Sequence, residues 1–289
     1  MKIIDCKTVR NEMLQEAKAR AQGLSLRAKY PYTEPALAII HVGDDDASNV
    51  YVRNKIKTCE EVGIKCEVKN FPSTVTFLEL LYKIKQLNDT PFVHGIILQL
   101  PLPDHLKEYE RRLLDEISHV KDVDGLGSES MGNLWSGNWC HKPATAAGVM
   151  RLLPDDLSGK IVCIVGRSNL VGKPLIKMLM DRNATVRVCH SKTDDLFLQT
   201  FNSDIIITAI GKPKYITPKY TNMLMPQTWI DVGINRDENG KLCGDIDIDA
   251  FAKYEDHSIT PVPRGVGILT TAQLTLNVID ACERLNMIA

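Results

Sequence analysis

Four polar residues in the first half of the chain have types and positions suited to acid–base chemistry. Tyr51 and Lys55 are four residues apart, so they project from one face of a predicted helix near its N-terminus. Gln99 ends a predicted strand, and Asp124 lies in the following loop. A lysine surrounded by protein can have its pKa lowered until it is neutral near pH 7 and can then act as a base. Taken alone, Lys55 is more simply a surface charge like Lys57, and Tyr51 a core or cleft residue.

A second candidate site is a glycine-bearing turn between a strand and a helix. The pattern runs through an apolar strand at 160–165, the turn from Gly166 to Gly172, an amphipathic run to Met180 and an apolar strand at 184–189. Gly166 can take backbone angles that other residues resist, and the helix offers unpaired N–H groups to a pyrophosphate. Ser168 replaces the second glycine of G-x-G-x-x-G, and Gly172 falls one residue late. Without further support, an ordinary tight turn explains the pattern as well.

The end of the second strand of this unit bears on the choice of cofactor. NAD sites usually carry an Asp or Glu about 20 residues after the first glycine, where it holds the ribose 2′-OH. Residues 189–193 read Cys-His-Ser-Lys-Thr and contain no carboxylate. Arg167 and Ser191 could hold a 2′-phosphate by charge-assisted bonds, although a single basic residue is more often a solvated surface charge. The pattern favours NADP.

The elements that must position these residues alternate between strand and helix. In the first half the predicted strands are 36–42, 64–68 and 93–99, and the predicted helices are 7–22, a run capped by Ser48 that ends at Gly63, and 74–87. In the second half the predicted strands after the glycine unit are 204–209 and 228–232, and the predicted helices are 145–153 and 270–285. Residues 121–145 are rich in Gly, Asp, Ser and Asn and are predicted to form loops that border a cleft.

This alternation predicts the fold class. Strands separated by helices at this spacing form parallel sheets with helices on their faces. The fold is therefore predicted to be α/β with two domains: an N-terminal α/β domain with a mostly parallel sheet, and a C-terminal Rossmann-type domain, with a cleft between them. The last helix is expected to cross back onto the first domain.

Length and composition exclude several classes of protein. A chain of 289 residues with 44% hydrophobic and 25% charged residues can bury a substantial core and suits two domains. A formal net charge of -1 argues against nucleic acid as a partner. The N-terminus lacks the character of a signal or transit peptide, and no apolar run approaches the roughly 20 residues of a membrane span. We therefore expect a cytoplasmic protein without a membrane partner.

The cysteines do not suggest a metal site. None of the eight forms a C-x-x-C pair, and several fall inside apolar strands. Reduced, buried thiols are therefore expected, with no zinc site and no disulfide framework.

Six collinear motifs carry a family resemblance. They are VGDDDAS with YVRNKIKTCEEVGI, then GIILQLPLP, KDVDG, VGRSNLVGKP, ATVRVCHSKT, and ITPVPRGVG followed by a C-terminal helix. The chain resembles the bifunctional methylenetetrahydrofolate dehydrogenase and methenyltetrahydrofolate cyclohydrolase family from about residue 36 to residue 285. The resemblance implies a homodimer that binds folate in the cleft. It also implies a folate-binding catalytic domain at 1–140 plus 271–289 and an NADP-binding Rossmann domain at 141–270.

The resemblance implies a role for each candidate residue. Lys55 corresponds to the catalytic lysine, Tyr51 to the aromatic that stacks on folate, Gln99 to the residue that bonds the lysine, and Asp124 to the carboxylate that holds the pterin. Further substrate contacts are expected at Leu100, Pro101 and Gly265. The expected cofactor contacts are Gly166, Arg167, Ser168, Gly172, Ser191, Gly211 and Ile234, with Arg167 and Ser191 on the 2′-phosphate.

The activity implied is an oxidation followed by a hydrolysis. Hydride transfer from methylenetetrahydrofolate to NADP leaves a cation stabilised by two nitrogens, so positioning alone can suffice. Hydrolysis of the methenyl carbon to 10-formyltetrahydrofolate requires a moved proton, a task for Lys55. The chain would thus serve one-carbon metabolism and purine biosynthesis. The alternatives are a single-activity enzyme of this family and a catalytically impaired NADP-binding homologue; a shikimate-type dehydrogenase lacks support from the Gln99 and Asp124 motifs.

The sequence departs from the family pattern in two segments. The family's P-G-G-V-G-P-M-T reads P-R-G-V-G-I-L-T at 263–270, which introduces Arg264 and Ile268. Its P-C-T-P reads P-A-T-A at 143–146, which ends in Ala146. Arg264 adds bulk and charge where a glycine allows close approach of the backbone, and the lost prolines free the loop. These changes bear on cofactor orientation and hydride transfer.

Overall fold

The computed structural model describes residues 1–26 and 34–288. The chain divides into two compact units. The three-stranded unit comprises Asn11–Ala144 and Thr271–Ala289, and the six-stranded unit comprises Met1–Arg10 and Thr145–Thr270. The predicted division differs most at residues 1–10, which it placed in the first domain.

The strands and helices alternate along much of the chain. The strands are β1 Lys2–Ile3, β2 Ala36–Val42, β3 Lys65–Phe71, β4 Gly95–Leu98, β5 Ile161–Val165, β6 Thr185–Cys189, β7 Ile205–Thr208, β8 Thr228–Asp231, β9 Asn235–Arg236, β10 Leu242–Cys243 and β11 Ser258–Ile259. The helices are α1 Cys6–Leu26, α2 Asp46–Glu61, α3 Phe77–Asn88, α4 Glu110–Glu116, α5 Ser128–Ser136, α6 Ala144–Met150, α7 Gly172–Met180, α8 Leu196–Phe201 and α9 Val266–Ile288.

The three-stranded unit is built on a parallel sheet in the order β3-β2-β4. β2 is central and almost continuously buried, as expected for an apolar strand covered on both faces. Its Ala38 and Ile40 pack in one cluster with Leu80 and Ile84 of α3. Burying a side chain of this size stabilises the fold by roughly 1.5–3 kcal/mol relative to exposure. The carboxyl ends of β2 and β4 are thereby fixed.

Two local predictions in this unit are wrong. Asp45, not Ser48, is the N-cap of α2, because its carboxylate accepts a bond from the Ser48 N–H. The stretch 121–145, predicted as loops, contains α5. α5 ends at Gly137, whose φ of 74° provides the left-handed helix end that glycine favours.

The six-stranded unit contains a parallel sheet in the order β1-β11-β8-β7-β5-β6. The chain passes from β5 to β6 on one side and then to β7 on the other side of β5. This reversal is the topological switch point of a doubly wound sheet, next to whose carboxyl ends ligands bind. The predicted Rossmann-type fold is confirmed.

Residues 1–10 belong with this sheet because of β1. Lys2 and Ile3 pair in parallel with Ser258 and Ile259 of β11, which extends the sheet by one strand. A two-residue strand has too short an apolar pattern to be identified from sequence. Within residues 1–26 and 34–288, none of the helices combines the length and apolarity needed to cross a membrane.

Candidate active site

Three of the predicted residues meet in the three-stranded unit. Lys55 Nζ donates to Gln99 Oε1 at 3.1 Å. The same nitrogen lies 3.6 Å from Asp124 Oδ2. The side chains of Lys55 and Asp124 are 13% and 22% exposed, so the group is partly shielded but still open to a small molecule. The Lys55 ammonium group thus has one hydrogen bond to an amide and an ion pair with a carboxylate, a set that can hold and move a proton.

Helix α2 presents Tyr51 from its first half and Lys55 from just past its middle. Its start is fixed by the Asp45 cap and by buried His41 at the end of β2, whose Nε2 lies 3.1 Å from Ser48 Oγ. Tyr51 is 43% exposed and lies one turn before Lys55. Burial of part of its ring raises the pKa of Tyr51, so the phenol stays neutral. An exposed neutral ring near the lysine offers a stacking surface.

Gln99 is held by the end of β4. Its N–H donates to the carbonyl of Ile40 at 2.9 Å, which continues the pairing of β2 with β4. Its side-chain Nε2 donates to Leu100 O at 2.7 Å, so Oε1 is turned toward Lys55. Leu100 and Pro101, the other predicted substrate residues here, follow directly through a cis peptide bond.

The Asp124 loop is fixed by a buried carboxylate beside it. Asp122 accepts bonds from Ser130 Oγ at 2.6 Å and Gly127 N at 2.8 Å. Burial raises the pKa of Asp122, and these bonds act in the opposite direction. The bonds tie the loop to the first turn of α5, so Asp124 lies in a closed loop rather than on a free segment.

Lys121 and Asn277 secure the same loop from its other sides. Lys121 is 5% exposed, and its Nζ donates to the carbonyls of Leu87, Asn88 and Thr90 at 3.1, 2.7 and 2.8 Å. Burial lowers the pKa of Lys121 to about 8. Asn277 on α9 donates to Val123 O at 2.8 Å. Each residue satisfies loop or helix-end carbonyls that would otherwise be buried without a donor.

The glycine turn of the six-stranded unit has the close approach expected of a phosphate-binding turn. Gly166 has a φ of 137°, and a Cβ there would lie 2.3 Å from the carbonyl oxygen of Ala209. A Cβ at Gly172 would lie 2.5 Å from Gly166 O. Only glycines permit this contact between the turn and the first residue of α7. Gly172 lies one residue later than the third glycine of G-x-G-x-x-G, but it allows the same close packing of the helix against the turn.

The predicted 2′-phosphate residues lie at the ends of adjacent strands. Arg167 follows β5 and Ser191 follows β6, and both are exposed. Ser168 Oγ accepts a bond from Val171 N at 3.2 Å, so it shapes the turn as well as facing solvent. The turn after β6 is closed by the bond from His190 N to Thr193 Oγ1 at 2.9 Å. This donor set and the absence of a carboxylate at 189–193 fit a phosphorylated ribose.

Gly211 and Ile234 lie in the loops after β7 and β8, and both are exposed. Gly265 is buried at the start of α9, close to Pro261. Arg264 beside it is exposed and has a φ of 72°, a left-handed conformation that a glycine would adopt more easily. Ala146 is fully buried in α6, whereas Ile268 is half-buried in the first turns of α9.

Comparison with known families covers nearly the whole chain. Residues 4–124 match the tetrahydrofolate dehydrogenase/cyclohydrolase catalytic domain, and residues 143–286 match the NAD(P)-binding domain of the same family. The chain belongs to the tetrahydrofolate dehydrogenase/cyclohydrolase family. The resemblance identified from the motifs is thereby confirmed.

Individual members of the tetrahydrofolate dehydrogenase/cyclohydrolase family are similar over almost the full length. The bifunctional protein FolD of Moorella thermoacetica is 45% identical over 286 residues, 98% of this chain and 99% of that one. The bifunctional FolD structure from Campylobacter jejuni has a TM-score of 0.91 at 40% identity, covering 98% of this chain and 99% of that one. The Trypanosoma brucei FolD structure, complexed with NADP cofactor and inhibitor, has a TM-score of 0.88 at 31% identity, covering 98% and 97%.

Sequence reasoning missed the residues that hold the candidate site in place. Lys121 and Asp122 lie in the KDVDG motif, where only Asp124 drew attention. His41 interrupts an otherwise apolar strand, which is a signal of a buried polar contact. Asn277 in the apolar run of α9 gives the same signal. Each of these four residues forms hydrogen bonds to side chains or backbone groups next to the predicted site residues.

Proposed function

We propose that the chain oxidises 5,10-methylenetetrahydrofolate to 5,10-methenyltetrahydrofolate with NADP and hydrolyses that product to 10-formyltetrahydrofolate. The observation that carries the proposal is the contact of Lys55 Nζ with Gln99 Oε1 and Asp124 at the carboxyl end of a parallel sheet. We assign folate to the three-stranded unit and NADP to the six-stranded unit. Membership of the family supports both activities, and so do the names of its relatives, which describe them as bifunctional.

The hydrolytic half depends on proton movement at Lys55. Water adds to the methenyl carbon, and its second proton leaves to solvent as the formyl C=O forms, which accounts for the positive charge of the substrate. Its first proton is removed during the addition and is placed on the departing nitrogen when the ring opens. Lys55 is the basic side chain that carries this proton from one atom to the other. Gln99 holds Nζ in one orientation, because its own amide is fixed on Leu100 O. Asp124 balances the charge of the lysine when it is protonated.

Folate binding uses the surfaces beside Lys55. The exposed ring of Tyr51 stacks on the flat pterin, and the Asp124 carboxylate accepts bonds from its amino and N–H groups. Leu100 and Pro101 line the approach next to Gln99. Gly265 is assigned to the substrate site on the family resemblance.

The oxidative half depends on the glycine turn. Gly166 and Gly172 bring the backbone close enough for the N-terminus of α7 to receive a pyrophosphate. Arg167 and Ser191 hold the 2′-phosphate, while Ser168, Gly211 and Ile234 line the remainder of the cofactor site. Bound NADP would supply an acceptor for the hydride of the methylene carbon. No side chain must remove a proton in that step, so the chain contributes orientation.

One progress curve tests both halves. Purified protein is mixed with methylenetetrahydrofolate and NADP, and reduced cofactor and the methenyl intermediate are followed together, with spontaneous hydrolysis subtracted. Reduced cofactor that rises above the methenyl signal shows both activities. Equal rises show a dehydrogenase alone, and a flat trace that NAD does not restore shows an impaired homologue.

We also infer that the enzyme is a cytoplasmic homodimer whose product feeds purine biosynthesis. The support is the resemblance of the motifs to the family. Light scattering during gel filtration tests the assembly, since the chain has a mass of 32.3 kDa and a dimer has twice that mass.

A further inference from the structure

Two aspartates are buried together in the six-stranded unit, outside the residues assigned so far. Asp231 ends β8 and is 3% exposed, and Asp245 follows β10 and is fully buried. Two glycines leave room for their carboxylates. A Cβ at Gly244 would lie 1.8 Å from Asp231 Oδ2, and one at Gly233 would lie 2.3 Å from the Asp245 carboxylate. Buried carboxylates are rare unless their oxygens are bonded, so their partners indicate their task.

Asp231 bonds the backbone around Asp245. Its Oδ1 accepts from the N–H of Gly233 and the N–H of Asp245, both at 3.0 Å. Its Oδ2 accepts from Ile246 N at 2.9 Å. The N–H of Asp231 itself donates to Thr260 Oγ1 at 2.7 Å. Asp231 thus fixes where Asp245 stands.

Asp245 in turn bonds two loops at the carboxyl edge of the sheet. Its Oδ2 accepts from Ile210 N at 2.7 Å. Its Oδ1 accepts from Lys212 N and Asn235 Nδ2, both at 2.9 Å. The loop at 209–212 follows β7, and residue 235 follows β8. One side chain therefore sets the backbone of the 209–212 loop and holds Asn235, the first residue of β9, directly after the loop at 232–234.

These loops are the ones that carry Gly211 and Ile234. Ala209, at the start of the first loop, is also the residue that Gly166 approaches, since a Cβ at Gly166 would lie 2.3 Å from its carbonyl oxygen. The phosphate-binding turn, the 209–212 loop and Asp245 are thus in successive contact. A shift of Asp245 would be transmitted to the surface assigned to the cofactor.

We propose that Asp245, held in place by Asp231, is a positioning residue for the cofactor: its carboxylate fixes the loops of Gly211 and Ile234 in the shape that binds NADP. The inference rests on the proposed function. All partners of the Asp245 carboxylate are N–H donors, so the position requires an acceptor on both oxygens. An asparagine has nearly the same size as Asp245, but its side-chain NH₂ would face an N–H donor and could not accept a bond from it.

The test is Asp245→Asn, with Asp249→Asn as the matched control, an exposed carboxylate four residues away. Four quantities are measured: NADPH affinity, the dehydrogenase kcat/KM for NADP, hydrolysis of methenyltetrahydrofolate supplied directly, and the melting temperature. We expect Asp245→Asn to weaken NADPH binding and kcat/KM about ten-fold or more, because bonds to a charged group are lost. Hydrolysis should stay at the level of the control, since Lys55, Gln99 and Asp124 lie in the other unit.

A second variant covers the case in which Asp245→Asn does not fold. Asn235→Ala removes one bond to Asp245 and leaves the backbone donors in place. It should weaken NADPH binding severalfold without change in hydrolysis. Equal NADPH affinity and kcat/KM in Asp249→Asn and in the folded variants would overturn the inference, as would parallel losses of both activities. Wild-type protein that neither binds NADPH nor reduces NADP overturns the proposed function itself, before any variant is compared.

Discussion

The side chains of Lys55 and Gln99 are in a fixed mutual orientation. Gln99 Oε1 accepts from Lys55 Nζ at 3.1 Å, and Gln99 Nε2 donates to its neighbour's carbonyl at 2.7 Å. A flipped amide would lose both bonds, so the assignment of oxygen and nitrogen follows from the contacts. The lysine is consequently directed by a group that cannot itself take its proton.

Replacement of Lys55 tests the hydrolytic role. Lys55→Met keeps the length of the side chain and removes the amine, so hydrolysis of methenyltetrahydrofolate should fall roughly 10²–10⁴-fold. NADPH affinity should remain unchanged. Lys57→Met, on an exposed position of the same helix, is the control. Full hydrolysis by the Lys55 variant would remove Lys55 from the mechanism.

Replacement of Arg167 tests the cofactor preference. Arg167→Ala removes a charge-assisted bond to the 2′-phosphate, which should raise the KM for NADP roughly 10- to 100-fold. The KM for NAD serves as the internal control, since NAD lacks that phosphate and should be affected little. If both constants rise together, Arg167 contributes to the shape of the turn instead.

Arg264 has a backbone conformation that its side chain disfavours. At a φ of 72°, Arg264→Gly should raise the free energy of unfolding by about 0.5–1 kcal/mol, since left-handed backbone costs a non-glycine residue about that much after the entropy of glycine is counted. Arg264→Ala keeps the strain and should show no such gain. Urea unfolding of both variants measures the difference.

The same pair of variants tests a contact from the Arg264 side chain. We hypothesise that its guanidinium binds a phosphate or the glutamate tail of folate, since the residue is exposed. Both variants should then raise one Michaelis constant alike. Unchanged constants for NADP and for folate would remove the hypothesis.

The pH dependence of stability should carry the signature of His141. Burial lowers the pKa of His141 below 6.5, and its Nε2 donates to Val120 O at 3.0 Å. The unfolded chain therefore binds the proton more tightly than the native protein. The free energy of unfolding should fall as pH drops through 6.5 toward the native pKa, and the contribution is fully present above 6.5.

The control for this prediction is a side chain that keeps the donor but does not titrate. His141→Gln should show a shallower fall than the wild type in denaturant unfolding between about pH 8 and about pH 5. Parallel curves for the two proteins would assign the acid sensitivity to other groups.

Strong apolar runs and short motifs were sufficient to predict the central architecture. β2, a seven-residue strand that is apolar except for His41, has the bounds that the sequence predicts. The glycine turn was located because its chemistry is local, with Gly166 and Gly172 on either side of one turn. Lys55, Gln99 and Asp124 stand out in the sequence by residue type and position, and the structure places an oxygen of each of the other two within 3.6 Å of Lys55 Nζ.

The supporting contacts could not be predicted, because they depend on how the loops and helices pack rather than on a regular spacing in the sequence. Asp122 and Asn277 act on the same loop from positions more than 100 residues apart, and no spacing rule relates them. β1 was missed because two residues carry no periodicity. Serine favours the N-cap position, which predicts Ser48 as the cap, whereas Asp45 three residues earlier has the stronger carboxylate acceptor.

The three-carbonyl contact of Lys121 makes this residue a natural reporter for chemical labelling. An amine that is 5% exposed and donates to three carbonyls is shielded from an acylating reagent. It reacts only when the 121–127 loop separates from the end of α3. The acylation rate of Lys121 therefore measures how often the loop that carries Asp124 opens. Exposed lysines such as Lys57 give the reaction rate of an unprotected amine for comparison.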